Sequence, residues 1–325
     1  MPDIPVVYTG ADFPMATLIS EEARAHALID CATRLVPRGA LRGLDAVSRR
    51  WLVKRNNAYL PEIDAIAARL GRPGAYFLAV NYEWGCTVGL GPSPDRRGAR
   101  LARTLDWVTE GLGRYVIAAH VSGPAGAFVA LTWPGFTGVL QGLAPGRFSA
   151  ALNQAPMRRL GGGFYPLDWA ANRLRVWRMP HPMPAHLLRQ VFETAGDYAE
   201  AKRMLTTAAI AAPAIFMLAG IEPDQTCRIE RTEEEARVSD GIVCASNHWQ
   251  SAGWEGRPRG FDSPGRLAAM GKVDAIELDP SFGWLVPPLL NPLTRLAMVS
   301  DAREGRFIAR GFEKGEPATS VLHWR

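Results

Sequence analysis

The sequence predicts an α+β protein, with helices at its N-terminal flank and in a later block and strands between and after them. Three observations carry that expectation. The first 74 or so residues read as mostly helical. From residue 75 onward, short apolar runs are separated by Gly/Pro-rich turns. A second helical block covers about 167–207 before strands resume. The 325 residues suffice for one large domain or two ordinary ones, and a 47% hydrophobic content supports a sizeable core.

Taken in order, residues 1–19 read as an irregular lead-in. Ser20-Glu21-Glu22 opens a helix to about residue 35, stopped by Pro37, and a second helical piece lies near 42–54. Pro61-Glu62-Ile63 opens a third. Its Ile63, Ile66, Ala67 and Leu70 share one face, and Gly71 ends it. The unbroken apolar run 76–80 reads as a buried strand. Residues 88–90 begin another, Gly91-Pro92-Ser93-Pro94-Asp95 and Gly98 turn the chain, and 99–107 returns as its partner. Runs 114–121 and 127–133 are strands. Helices are expected at 167–177 and 185–194, and the capping box Asp197-x-x-Glu200 opens a third to about 207. Strands follow at 213–219, 226–231 and 235–245, and 296–300 with 306–310 forms a final hairpin. The run 208–220 is short and carries Pro213, so it reads as a buried strand rather than a membrane span.

The net charge of +5 is spread along the chain with no nucleic-acid motif beside it, so nucleic acid is not an expected partner. It suits a transient contact with an anionic membrane surface or fatty-acid product. Four scattered cysteines do not make a disulfide scaffold. The first residues lack a basic region followed by an apolar one, which predicts a cytoplasmic protein. His181 and His186 flank Pro-Met-Pro-Ala without metal-ligand spacing, and Gly161-Gly162-Gly163 lacks the Lys-Ser/Thr of a phosphate loop, so neither a metal nor a cofactor is expected. Two apolar, proline-punctuated stretches, 177–183 and 282–293, read equally as loops packed on the core or as a lipid-facing lip.

Cys86 is the candidate nucleophile. A lone cysteine is more often a buried structural residue. The 81–107 hairpin, however, would bring Arg103 and Asp106 back toward it, and a nearby cation favours the reactive thiolate. Asn153 and Asn247 suit turns or caps as well as a site. His248 suggests a papain-like Cys–His pair, but the Cys-Gly-Ser-Cys-Trp signature is absent.

Several motifs sharpen this reading. They are Tyr82-Glu83 followed by Cys86-Thr87, Arg103-x-x-Asp106, Pro145-Gly146-Arg147-Phe148-Ser149 running on to Leu152-Asn153-Gln154, Glu200-Ala201-Lys202 with Ala212-Pro213-Ala214, and Ser246-Asn247-His248. The chain resembles the acid ceramidase and N-acylethanolamine acid amidase family, in the cholylglycine-hydrolase-like branch of the N-terminal nucleophile (Ntn) hydrolases, over nearly its whole length after residue 20. Gln154 stands where that family has glutamate. It keeps the hydrogen-bonding shape but cannot act as a base.

The resemblance implies an αββα sandwich, two antiparallel sheets face to face between helical layers. It implies a small subunit 1–85 released by self-cleavage between Gly85 and Cys86, and a catalytic core 86–325. Cys86 would then carry thiol and α-amine together. Asp106 would orient the amine, Arg103 would sit beside the thiolate, and Asn247 would donate to the oxyanion. Asn153 and Gln154 would support that site. One arginine among Arg257, Arg259 and Arg266 would complete it; Arg259 best fits the distance from Asn247 and Arg266 the sequence context. The implied activity is hydrolysis of an N-acyl amide, with a fatty acyl chain. Acyl transfer through the same thioester and a non-cleaving lipid-binding role are its rivals.

Overall fold

The first eighty residues are organised by an apolar helical seam, not by the run that resembles a strand. A computed structural model describes residues 1–34, 36–80, 83–160 and 163–325. They begin with strand β1 (Val6–Gly10) and helices α1 (Met15–Ser20), α2 (Glu22–Thr33), α3 (Arg38–Lys54), α4 (Leu60–Leu70) and α5 (Ala75–Val80). The lead-in expected to be irregular thus holds β1 and α1. Ile66 and Leu70 of α4 pack with Leu18, Ala25 and Ile29, while Ile63 joins the main core, and Gly71 closes α4 in the left-handed region at φ 61°.

The expected strand at 76–80 is instead α5. A short apolar run fits a buried strand and a buried helix equally by period. Its helical state is fixed from outside the run. The Asp45 carboxylate on α3 accepts from the backbone N–H groups of Gly74 at 2.6 Å and Phe77 at 2.8 Å, as an N-cap would.

The strands that follow are β2 (Gly85–Pro92), β3 (Ala99–Asp106), then after the turn helix α6 (Leu112–Tyr115), β4 (Ile117–Gly123), β5 (Gly126–Thr132), β6 (Gln141–Ala144) and β7 (Phe148–Gln154). Helices α7 (Tyr165–Arg178), α8 (Pro184–Thr194) and α9 (Tyr198–Thr207) come next. Asp197 caps α9 by accepting from Glu200 N at 2.8 Å, while Glu200 reaches back to Gly196 N at 2.9 Å. The chain ends with β8 (Ala214–Ala219), β9 (Thr226–Arg231), β10 (Ala236–Asp240), β11 (Val243–Ala245), α10 (Ser263–Met270), β12 (Thr294–Asp301), β13 (Arg306–Glu313), β14 (Glu316–Pro317) and β15 (Leu322–Trp324). The single strand expected at 235–245 is two, because Gly241 turns the chain at φ 95° and sends β10 and β11 to different sheets.

Two sheets form the centre. One runs β1-β4-β5-β6-β7-β8-β9-β10, the other β11-β2-β3-β12-β13-β14 with β15 on β13. Pairing is antiparallel except for β1 on β4, a parallel edge contact the sequence reading did not foresee. Val88, Leu90, Ala99 and Leu101 of β2 and β3 meet Ala151, Ile215 and Met217 of β7 and β8 between the sheets. Phe192 of α8 stacks on Phe128 and meets Phe148 at a tilt on the far side of the first sheet. The outer face of the second sheet is covered by Met270 of α10 and by Ile276, Phe282, Leu285 and Leu289. The stretch 282–293 is therefore largely packed on the core, with Val286 exposed. The layering is the expected αββα sandwich, one outer layer being partly irregular chain. Among the described residues, no helix is long and apolar enough to cross a membrane.

Candidate active site

The hairpin of β2 and β3 pairs Gly85 with Asp106, Cys86 with Leu105 and Val88 with Arg103. Side chains alternate along a strand, so Cys86 and Arg103 share the face between the sheets. Both are buried, at 0% and 1% exposure. Arg103 Nη2 donates to Cys86 Sγ at 3.0 Å and to Leu152 O at 3.0 Å, and Nη1 reaches Asn153 Oδ1 at 3.4 Å. Burial pushes the Cys86 thiol up to about 11, while Arg103 and Arg266 pull against it. Burial also lowers Arg103 from its ordinary value.

A spacing of three puts Arg103 and Asp106 on opposite faces of β3, so of the two only Arg103 lies on the face of the sulfur. Asp106 faces outward, where it accepts from Thr294 Oγ1 at 2.9 Å and Asn291 Nδ2 at 3.2 Å and pairs with Arg266 at 3.4 Å. Burial raises its carboxyl, and Arg266 is the largest opposing influence.

The bond before Cys86 is held from the outer face. Cys86 N donates to Asn247 Oδ1 at 2.7 Å. Arg266 Nη1 donates to Cys86 O at 2.6 Å and Thr87 Oγ1 at 2.8 Å, and its Nη2 donates to Asn247 Oδ1 at 3.1 Å. The sequence reading gave Asn247 an oxyanion-donor role. Its Nδ2 donates to Gln154 O at 2.8 Å, and its oxygen accepts from the Cys86 nitrogen. Asn153 Nδ2 is likewise taken, by Ala245 O and Ser246 O at 3.2 Å each.

The three candidate arginines separate cleanly. Arg266, on α10, is fully buried beside Cys86. Arg259 lies at the rim, donating from Nε to Ala155 O at 2.9 Å and pairing with Glu83 at 3.0 Å. Arg257 forms a bridge with Met157 and lies 3.7 Å from Asp168. Of the three, Arg257 is the most solvated, its side chain being 34% exposed. Gln154 Oε1 accepts from Trp84 N at 2.9 Å, joining the residues before Cys86 to β7. His248 Nδ1 faces Ser263 Oγ at 2.8 Å, so it does not pair with the cysteine. Buried His186 has Thr137 Oγ1 at 3.1 Å, and among the described residues no group of three His, Cys, Asp or Glu could hold a metal. Tyr82 of the Tyr-Glu run, and Gly161 and Gly162 of the glycine triplet, lie outside the described residues.

Sequence reasoning gave no role to Thr87, Gly260, Ser263, Asn291 or Thr294. Gly260 has φ +69°, and a Cβ there would come within 2.9 Å of Gly85 Cα and of Arg266 Nη2. Ser263 Oγ accepts from Asn247 N at 2.8 Å. The signal for this last pair was available: Asp262-Ser263-Pro264 is a helix start, with Asp262 accepting from Gly265 N at 3.1 Å. That start places Arg266 on a rigid helix.

Two cavities adjoin the site, of about 80 Å³ and 240 Å³, and Glu83, Trp84, Gln154 and Arg259 line both. The first is walled by Leu152, Trp169, Val176, Met183 and Pro213. The Trp84 ring, 5.6 Å from Trp107, belongs to the segment that separates them.

No protein-family profile matches the chain. Over 191 residues, 55% of this chain and 46% of the relative, it is 34% identical to acid ceramidase from Homo sapiens, and over the same span 27% identical to that from Bos taurus. It superposes on the Caenorhabditis elegans N-acylethanolamine-hydrolyzing acid amidase ortholog at TM-score 0.53 and 19% identity, covering 74% of this chain and all of that one. The fold is that of an Ntn hydrolase. In sequence the chain is similar to the acid ceramidases over 55% of its length, and it spans about half the length of the curated relatives it matches.

Proposed function

We propose that this chain is a cysteine Ntn amidohydrolase that matures by cutting itself between Gly85 and Cys86 and then hydrolyses a fatty N-acyl amide. The observation that carries the reading is the pair of contacts at Cys86: a buried guanidinium 3.0 Å from the sulfur, and an amide oxygen 2.7 Å from the nitrogen of the bond to be broken. In the first step Cys86 Sγ attacks the Gly85 carbonyl carbon and gives up its proton. The Cys86 nitrogen takes a proton as the C–N bond breaks, leaving a thioester. Water cleaves the thioester to a Gly85 carboxylate and a free Cys86 thiol.

The α-amine so created, with an ordinary pKa near ~8, serves as the base for the thiol in each later turnover. Asn247 Oδ1, already the partner of that nitrogen, orients it, and Asp106 holds Arg266 in register behind it. Amide substrate acylates Cys86 and releases its amine, and water releases the acid. A drug-sized ligand pocket is about 300–1,000 Å³, whereas the apolar cavity here is about 80 Å³. Withdrawal of the Glu83–Trp84 segment after the cut would join the two cavities and admit an acyl chain.

The test is amine release from an N-lauroyl amide by the purified protein. The reading expects turnover that is lost in Cys86→Ala. Turnover retained in that variant would refute it.

A further inference from the structure

Glu83 sits three residues before Cys86, and its carboxylate is held by a built cluster. Arg259 Nη1 lies 3.0 Å from Oε1 and Arg173 Nη2 4.0 Å from it, and the Tyr165 hydroxyl donates to Oε2 at 3.3 Å. The cluster does not depend on Glu83 for its shape. Arg259 is fixed by Nε on Ala155 O and by its backbone N on Asn247 O at 3.1 Å. Arg173 lies over the Trp169 ring at 5.3 Å, and Tyr165 is a residue of the helix that carries both. Arg259 lines both cavities beside the site, so whatever replaces the Glu83–Trp84 segment there meets its guanidinium.

We propose that Arg259, with Arg173 and the Tyr165 hydroxyl, is a carboxylate site, filled by Glu83 in the uncut chain and by the carboxylate of an N-acyl amino acid in the mature enzyme. The inference rests on the proposed self-cleavage, because that cut is what leaves Glu83 near a free chain end. The acid product's own carboxylate forms at the carbon bonded to Cys86 Sγ, not at a site reached from three residues upstream. An acyl chain on the apolar wall of Leu152, Val176 and Met183 leaves the amine half to carry the charge. Emptied of Glu83, the cluster presents Arg259 with its geometry already set. A guanidinium–carboxylate contact favours an anionic over a neutral amine half by about 10- to 100-fold, the span typical of one charge-assisted hydrogen bond.

The experiment compares kcat/KM for N-lauroyl-glycine and N-lauroyl-glutamate with that for N-lauroylethanolamine, in the wild type and in Arg259→Gln. The proposal expects a preference of at least about tenfold for the anionic substrates, falling about 10- to 100-fold in Arg259→Gln. Arg259→Lys keeps the charge and retains most of the preference, and it serves if the glutamine variant does not fold. Equal turnover of neutral and anionic amides, or a preference unchanged in the variants, would overturn the carboxylate site while leaving the amidase reading intact. If no amide is turned over, that reading fails, and calorimetric titration of N-lauroyl-glycine against N-lauroylethanolamine decides the site. Tighter binding of the acid that is lost with Arg259 supports it, and equal affinities refute it.

Discussion

Arg103 Nη2 lies 3.0 Å from Cys86 Sγ at a place where both side chains are closed to water. Its charge is the nearest cation to the sulfur, and it works against a burial that pushes the thiol to about 11. Arg103→Met keeps the volume and removes that charge. The expected result is a chain that folds but cuts itself at least about 100-fold more slowly, read as fragment appearance over time; an unchanged rate would remove Arg103 from the chemistry. Arg266 differs because it neutralises a buried carboxylate, 3.4 Å from Asp106. Arg266→Gln leaves that charge unpaired and should cost about 3–5 kcal/mol in chemical denaturation. Arg266→Met with Asp106→Asn removes both charges and should recover part of that loss.

At the scale of elements, the readable features were those whose cause lay within the segment. Asp197-x-x-Glu200 carries its own cap, and 99–107 carries its own turn before it, so α9 and the β2–β3 hairpin were legible. The helix α5 was not, because Asp45, some thirty residues upstream, supplies its cap. The same rule explains the site. Cys86, Arg103, Asn247 and Arg266 were named from motifs and meet at one point, but the faces they occupy come from strand alternation across an odd spacing. Asn247's role as an acceptor follows from Ser263 and Gln154, which are remote in sequence. Asp45→Ala tests the account of α5. It should cost about 1–2 kcal/mol, the usual effect of losing a cap, measured as a lower denaturation midpoint. No loss would mean that the apolar packing of the run alone holds the helix.

Across the whole molecule, the N-terminal helices are tied to the sandwich through α8. Arg189 pairs with Glu62 of α4 at 2.5 Å and with Glu193 at 2.7 Å. Beside it, buried His186 lies 3.4 Å from Asn57 and 4.8 Å, ring to ring, from Tyr59. Burial, then Arg189, holds its imidazole down at about 3. A histidine pKa depressed on folding contributes stability that is full above its unfolded value, near 6.5, and is lost as pH falls toward the folded value. Lowering the pH from 6.5 to 4.5 should therefore cost about 2 kcal/mol through this residue. Thermal melts at the two pH values, in the wild type and His186→Gln, check it: the variant should lose less on acidification, and an equal loss would place the acid sensitivity elsewhere. After a cut at Gly85, this same contact would be among those keeping the two fragments together.

That cut is the centre of the account, and the mass of the purified protein under denaturing conditions tests it most directly, beside a Cys86→Ala control. The account predicts two fragments in the wild type, one ending at Gly85 and one beginning at Cys86, and a single uncut chain in the control. A wild-type chain that stays whole at every pH tried would contradict it, since Cys86 would never gain the free α-amine on which the mechanism depends.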